Sequence, residues 1–448
     1  MTKITQTPDN TAAGGSPPGS TAAGPGKSAP GGGGFGGIGR ALALRDFRVY
    51  SYGNLMSLLS SWMHRMALGW LTWETTQSPA WLGAIAFCAM VPPIVLGPFS
   101  GTIGDRLGSR RIARIAMLCE AANILVLAAL VVSGLITVHL LALLALLQGI
   151  FFAFDFPVRH ALVPDLVPRS ELSAAIAVNT ATFHVTSFVG PVLGGTIIEH
   201  FGYLPVFIIS ACTFVQFVFI LGSLKLTRES HAGTQNHFLY DLADGFRYTF
   251  NHPTIRYIFI ASIATHILMR PYYDLLPAFA DQVFNRKIDG LQILASASGL
   301  GGLVAGIAFA VRGRMQGLTT ALLWSAIASC TFLALFALLP YVMQPNIWVG
   351  FALLVPVGVG LVIAGISAQS LTQNVVDPAK RARVVGLSAS FATGGPAIGA
   401  LVLGWLGERF GLGPPVAAFA MIVVTVMLWA GPKLIAQRHE IEVETARK

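Results

Sequence analysis

The 448-residue chain is 54% hydrophobic and only 11% Asp, Glu, Lys and Arg, with a mean hydropathy of +0.67. Soluble domains carry roughly 25% charged residues, so this composition excludes a soluble globular protein, and 48 glycines without a triplet period exclude a collagen-like one. The net charge of +9 sits in short clusters between long apolar runs, a topological pattern rather than a basic face for nucleic acid. The chain reads as a polytopic membrane protein whose surroundings are the lipid bilayer.

In chain order, residues 1–39 are rich in Gly, Pro, Ser, Thr and Ala and bury too little apolar surface to offset ordering entropy, which predicts a disordered tail and no secretory leader. Order is expected from Arg40. Twelve apolar runs long enough to span follow at 48–73, 79–104, 111–134, 138–159, 172–198, 203–224, 256–283, 290–311, 318–340, 346–371, 384–407 and 413–432. They are too long for barrel strands, so the fold class is all-α membrane protein. Cys88, Cys119, Cys212 and Cys330 each fall in an apolar run without CxxC spacing, predicting buried thiols and neither disulfides nor zinc. The tails and one alternate set of links hold 24 of the 29 Lys and Arg residues, and the opposite links hold three: Arg286, Lys287 and Arg409. That asymmetry predicts both termini in the cytoplasm and a multi-pass protein of the cell (inner) membrane.

The longest interior link, 225–253, divides the spans six and six. The expected organisation is a cytoplasmic tail (1–39), an N-terminal bundle (40–224), a central cytoplasmic loop (225–253), a C-terminal bundle (254–437) and a cytoplasmic tail (438–448). The halves echo each other. SFVGPVLGGTI at 187–197 and ATGGPAIGALV at 392–402 share a Gly-Pro followed three residues later by Gly, which makes Gly190, Pro191, Gly194 and Gly195, with Gly395, Pro396 and Gly399, candidate helix-kink positions. The offset is 209 residues at the preceding links and 205 at the Gly-Pro pairs. Repeated six-helix halves are a transporter architecture, with the substrate between the halves and access alternating by rocking.

The link after the second span contains Gly101, Asp105, Arg106, Gly108, Arg110 and Arg111. Glycines there permit close backbone approach, Asp105 suits a helix N-terminus and the arginines suit carboxylates, a set able to latch the two bundles in one state. An ordinary basic topogenic loop explains the arginines but not the spacing. GxxxDRxGxRR after the second of twelve helices resembles the signature loop of the major facilitator superfamily, and Gly190-Pro191-x-x-Gly194-Gly195 resembles the core of its antiporter-associated motif, with Thr186 where a glycine is usual. Trp62–Trp70 leading into Ser78-Pro79, the stretch Phe154–His160 and the stretch Arg270–Phe279 are similar to the branch of drug and siderophore exporters that includes the enterobactin exporter and macrolide efflux proteins, although that branch often has Gln where His64 stands. The resemblance covers roughly 40–437. It implies two pseudo-symmetric six-helix bundles, a rocker-switch cycle and proton-driven efflux by a monomer, with a small-molecule substrate and no cofactor beyond the proton gradient.

Charges at membrane depth are costly and are functional candidates by default. Arg270 and Asp274, one turn apart and bracketed by Pro271 and Pro277, form either a cavity-facing substrate or coupling pair or a static pair that packs the bundle. Glu120 lies about ten residues into the third span, ~15 Å deep at 1.5 Å per residue, and is either a proton carrier or, since the resemblance puts that helix at the bundle periphery, a packing group. Arg65, beside His64, sits in the outer half of the first span, with Glu74 as a partner or an interfacial residue. His184 and His266 near mid-depth are core residues or proton carriers. Asp155 and Arg159 at i,i+4 read as a cytoplasmic latch.

The leading function is export of a bulky small molecule, of drug or siderophore class, in exchange for protons. The alternatives are uptake or lipid and metabolite transport within the same superfamily, and an intramembrane enzyme using Ser296 or Ser298. Against the enzyme and against an ATP-driven pump, the chain has no HExxH and no GxxxxGK[ST].

Overall fold

The computed structural model describes residues 35–224, 238–312, 316–377 and 380–443. The expected disorder of 1–39 falls almost wholly outside them, but helix α1 (Phe35–Ala43) begins five residues before Arg40. The N-terminal spans are α2 (Arg45–Thr76), α3 (Pro79–Leu107), α4 (Ser109–Val132), α5 (Val138–Leu166), α6 (Leu172–Phe201) and α7 (Tyr203–Ser223). Within the link expected as a loop lies α8 (Phe238–Asn251). The seventh span starts as α9 (Ile255–Ala264) and continues as a π turn (Thr265–Met269), a 3₁₀ stretch (Arg270–Leu275), α10 (Leu276–Ala278) and a second π turn (Phe279–Val283). Then come α11 (Ile288–Arg312), α12 (Leu318–Val342), α13 (Ile347–Val375), α14 (Arg381–Phe410), α15 (Gly413–Ala436) and a short α16 (Arg438–Val443).

Ten described helices are long and apolar enough to cross a membrane. The broken seventh span and α2 complete the twelve; α2 is 32 residues long, but its Ser, Asn, His and Arg residues lower its hydropathy. The seventh span is irregular because Pro271 and Pro277 supply no backbone N–H and clash with the preceding turn.

The two halves repeat with an offset of 209. Helices α3, α4, α5 and α6 begin at 79, 109, 138 and 172, and α11, α12, α13 and α14 at 288, 318, 347 and 381. The turns obey the same offset: Gly108 and Gly317 are both left-handed, as are Gly202 and Gly411, with Gln77 and Asn285 one residue out of step. A left-handed residue without strain calls for glycine, which is why it punctuates these helix junctions. Side-chain caps start three helices on the side opposite the termini, hereafter the far side: Ser78, Thr137 and Asn346 accept from Trp81, Leu140 and Trp348.

The offset of 209 displaces the Gly-Pro pairs by one helical turn, so the equivalents of Gly190 and Gly195 are Gly399 and Gly404. Packing confirms it. A Cβ on Gly190 would lie 2.5 Å from Trp62 of α2, and one on Gly399 would lie 2.6 Å from Pro271, the residue 209 positions after Trp62. Likewise Gly195 meets Gln292 and Gly404 meets Gly83, again 209 apart. Pro191 and Pro396 lie inside unbroken helices, and the glycines around them serve close approach.

The halves touch most extensively through two symmetry-related contacts, α3 against α14 and α6 against α11, and also where α2 meets the seventh span. On the tail side, α8 holds α14 through Asp244 and Arg383, and Lys380 lies over the Tyr248 ring at 4.6 Å. Glu442 of α16 accepts from the backbone N–H groups of Gly317 at 2.8 Å and Thr319 at 3.1 Å, capping α12. Burial pushes the Glu442 carboxyl up, but those N–H groups outweigh it and hold it below its ordinary value. Glu442→Ala is therefore expected to cost about 1 kcal/mol of thermal stability in detergent. Because the folded-state value is depressed, that contribution is fully present above the ordinary Glu value near ~4.3 and is lost below it, as pH falls through the lower folded-state value. Parent and variant melts that differ equally at pH 7 and pH 4 would contradict the assignment.

Candidate functional site

Along α2, Trp62, Arg65, Gly69 and Trp73 fall at helical spacings on one stripe. The seventh span runs parallel to it and presents Tyr273, Asp274, Pro277 and Asp281. The two stripes meet rung by rung across the halves. Trp62 packs edge-on to Tyr273 with ring centroids 6.0 Å apart. An Arg65 Nη donates to Asp274 Oδ1 at 2.8 Å, with side chains 32% and 15% exposed. A Cβ on Gly69 would touch Pro277 at 3.5 Å, and Trp73 Nε1 donates to Asp281 Oδ2 at 2.8 Å. The Arg65 guanidinium also lies over the Trp62 and Tyr273 rings, at 5.8 and 5.4 Å.

Arg65 and Asp274 are 209 positions apart. They are equivalent positions in the two halves, and equivalent positions touch only on the pseudo-twofold axis. The ion pair therefore marks the centre of the molecule. Beside it Arg270 is exposed, with its charge repelled by Arg65 and attracted by Asp274.

Further cross-half contacts lie toward the far side. Ser78 donates to Glu408 at 2.7 Å, Thr196 donates to Gln292 at 3.3 Å, and a Cβ on Gly404 would lie 2.5 Å from the Pro79 carbonyl oxygen. Above them a cleft of about 530 Å³ opens between the halves, bordered by Glu74 and Glu199 from one and Arg286, Lys287 and Asp289 from the other.

A family model described as transmembrane secretion effector matches residues 41–444. The chain belongs to this family of the major facilitator superfamily. The staphyloferrin A transporter of Staphylococcus aureus is 26% identical over 255 residues, covering 56% of this chain and 64% of that protein, just under two thirds. The multidrug efflux pump Tap of Mycolicibacterium fortuitum is 26% identical over 362 residues, 78% of this chain and 85% of Tap. In fold, the crystal structure of the nucleoside transporter NupG superposes with a TM-score of 0.67 at 16% identity, covering 87% of this chain and 99% of that one. The protein is thus an integral membrane transporter of the major facilitator fold.

For this transporter the predicted Arg270–Asp274 pair is corrected: Asp274 bonds Arg65 of the other half. The residues from Arg270 to Leu275 form a 3₁₀ stretch. At about three residues per turn, side chains four apart no longer share a face. Glu74 is not the partner of Arg65 either; it accepts from Trp70 Nε1 at 2.7 Å and from the Tyr203 hydroxyl. Asp281, an acid inside the 256–283 run, is not among the sequence candidates, and it is the fold that pairs it with Trp73.

Of the signature residues, Gly101, Asp105 and Arg106 have side chains outside the described residues. Gly108 alone joins α3 to α4, with φ +86°, and Arg111 is exposed, so the loop is reduced to a single-residue hinge. Asp155 and Arg159 pair at 2.5 Å deep inside the N-terminal half. There Arg159 reaches Asn54 at 3.5 Å and stands 4.6 Å from the Phe217 ring. Glu120 is only 4% exposed in the same region.

His266 Nδ1 is bonded to its own helix, at the Ser262 carbonyl, 2.7 Å away. The His184 ring fills the space over Gly302 and Gly306 of α11. His64 packs edge-on to Phe207 at 5.7 Å. The hydroxyls of Ser296 and Ser298 are engaged by the Ile293 carbonyl and the Tyr272 hydroxyl. Of the thiols, Cys330 is buried but Cys212 is exposed on α7, which corrects the uniform expectation. Among the described residues no group of His, Cys, Asp and Glu is placed to hold a metal.

Proposed function

We propose that this protein is a proton-driven exporter of a bulky small molecule, of drug or siderophore class, working as a monomer in the cell (inner) membrane. The observation that carries the reading is the Arg65–Asp274 pair on the axis between the halves. The basic-residue asymmetry supports both termini lying in the cytoplasm, which makes the far side the outside. The far-side contacts then correspond to a state closed to the outside, with cargo reaching the cluster of Arg65, Asp274 and Arg270 from the cytoplasm. Rocking the halves parts Arg65 from Asp274, Trp73 from Asp281 and Ser78 from Glu408, and opens the route outward. The names of the multidrug efflux pump and the staphyloferrin A transporter among the relatives support the cargo classes.

The test is a proteoliposome assay with an imposed pH gradient and three probes: a ferric siderophore, a macrolide and ethidium. At least one is expected to move against the proton flow, with matching internal pH changes, and to stop when an ionophore collapses the gradient. Movement of none of them, or movement indifferent to the gradient, would overturn the reading.

A second expectation concerns the hinge segment. Asp105→Asn should slow transport about fivefold, the equivalent of ~1 kcal/mol for a carboxylate at a helix N-terminus, with membrane protein levels near those of the parent. Parent-like flux would remove the latch role.

A further inference from the structure

The N-terminal half contains a buried charge cluster that the central site does not use. Glu120 of α4 and Asp155 of α5 are 4% and 2% exposed. They share one cation, Arg159, which Asp155 Oδ2 takes at 2.5 Å. Glu120 feels the charges of both, and Gln148 stands beside it and beside His64 of α2. Three atoms here have no hydrogen-bond partner among the described residues: Glu120 Oε2, Asp155 Oδ1 and His64 Nδ1. Two carboxylates against one guanidinium leave the cluster one positive charge short, in a place where an uncompensated charge is costly.

The repeat supplies an internal control. At the 209-residue offset, Glu120, Asp155 and Arg159 correspond to Ser329, Ala364 and Ala368, which are 0%, 1% and 4% exposed. The same helices pack at the same positions in the second half with no charge at all. The fold does not require the cluster.

We propose that Glu120, Asp155 and Arg159 form a proton-binding site sealed within the N-terminal six helices, separate from the cargo site on the axis. The proton adds to a Glu120 carboxylate oxygen, completing the charge balance, and leaves from the same oxygen; no other bond changes. His64 and Gln148 connect the site to α2, where the next residue, Arg65, holds the far side closed. The other ionisable groups on these elements are Arg110, Arg111, Arg114 and Cys119 on α4, His139, His160 and Asp165 on α5, Tyr203 and Cys212 on α7, Cys88, Asp105 and Arg106 on α3, and Arg45, Asp46, Arg48, Tyr50, Tyr52, Arg65 and Glu74 on α2; among them the Tyr50 hydroxyl donates to the Arg159 carbonyl at 3.1 Å. That this proton drives export rests on the proposed function; the site itself does not.

The test is infrared difference spectroscopy of the purified full-length protein between acid and alkaline buffer, following the carboxylic-acid C=O band. The parent is expected to show a buried acid band that is absent in Glu120→Gln and persists in Asp274→Asn. Asp155→Asn leaves one carboxylate facing Arg159, so its band is expected to be gone at neutral pH. Should Glu120→Gln fail to fold, the combination Glu120→Ser, Asp155→Ala and Arg159→Ala reproduces the second half's own packing and is expected to fold without the band. A band that survives removal of Glu120, or one lost in Asp274→Asn, overturns the proposal. Ethidium exchange without a gradient, measured in the same preparations, reports on the export reading independently, so the failure of one is told apart from the failure of the other.

Discussion

Asp274→Asn is expected to cut transport roughly 30- to 150-fold while the amount of protein in the membrane stays near that of the parent. Removing one partner of a fully buried ion pair costs ~3–5 kcal/mol because the other charge is left uncompensated. Here Arg65 is 32% exposed and Asp274 15%, so water recovers part of that. About 2–3 kcal/mol remains, at ~1.4 kcal/mol per tenfold change. In the proposed cycle the pair exists only while the far side is closed, so the loss is expected to fall on that state and the protein to dwell open on that side. Arg65→Ala is expected to behave alike, through a stranded Asp274. Since the two positions are equivalent under the pseudo-twofold, exchanging them (Arg65→Asp with Asp274→Arg) reverses the pair in nearly the same geometry and is expected to restore much of the flux. Ethidium efflux from proteoliposomes checks all three. Parent-like efflux by Asp274→Asn would remove the pair from the cycle.

Gly404→Val is expected to lose at least about fivefold in transport for a different reason. At Gly404 a side chain would press on the Pro79 carbonyl and on the Gly83 backbone, both in the other half. Backbone cannot turn aside as a side-chain tip can, and overpacking costs about 1–3 kcal/mol. The strain is present only while the halves are closed, so the far side is wedged apart. A control lies on the same helix: a Cβ at Gly386 meets nothing within 4 Å, and Gly386→Val is expected to transport near the parent rate. Equal losses at both positions would point to helix damage rather than a blocked closure.

Much of the architecture is legible in the sequence because membrane spans announce themselves by length and apolarity, and the predicted runs fall within the observed helices to a few residues. The repeat is visible too, but its register is not. Matching the Gly-Pro pairs gives 205, whereas the helix starts and glycine turns give 209. The motif in the second half is displaced by a turn, and what the structure repeats is the closeness of backbone at Gly190 and Gly399. Arg65 and Asp274 stood out as intramembrane charges, yet their pairing did not. Helical spacing favoured Arg270 as the partner, and only the 3₁₀ stretch introduced at Pro271 turns Asp274 toward α2. Asp155 and Arg159 were legible as an i,i+4 pair. Their burial depends on which faces of α2, α4, α5 and α7 converge, and an apolar run on every side of a helix carries no such information.

Rocking of the two halves is proposed to break and remake the Arg65–Asp274 pair. It is tested most directly by the distance between spin labels at Gln77→Cys and Arg409→Cys, which flank the Ser78–Glu408 contact, in a protein whose four native cysteines are replaced by serine. A short-distance population is expected in the parent, largely replaced by a longer one in Asp274→Asn and in Gly404→Val. A distribution unchanged by either substitution would contradict it.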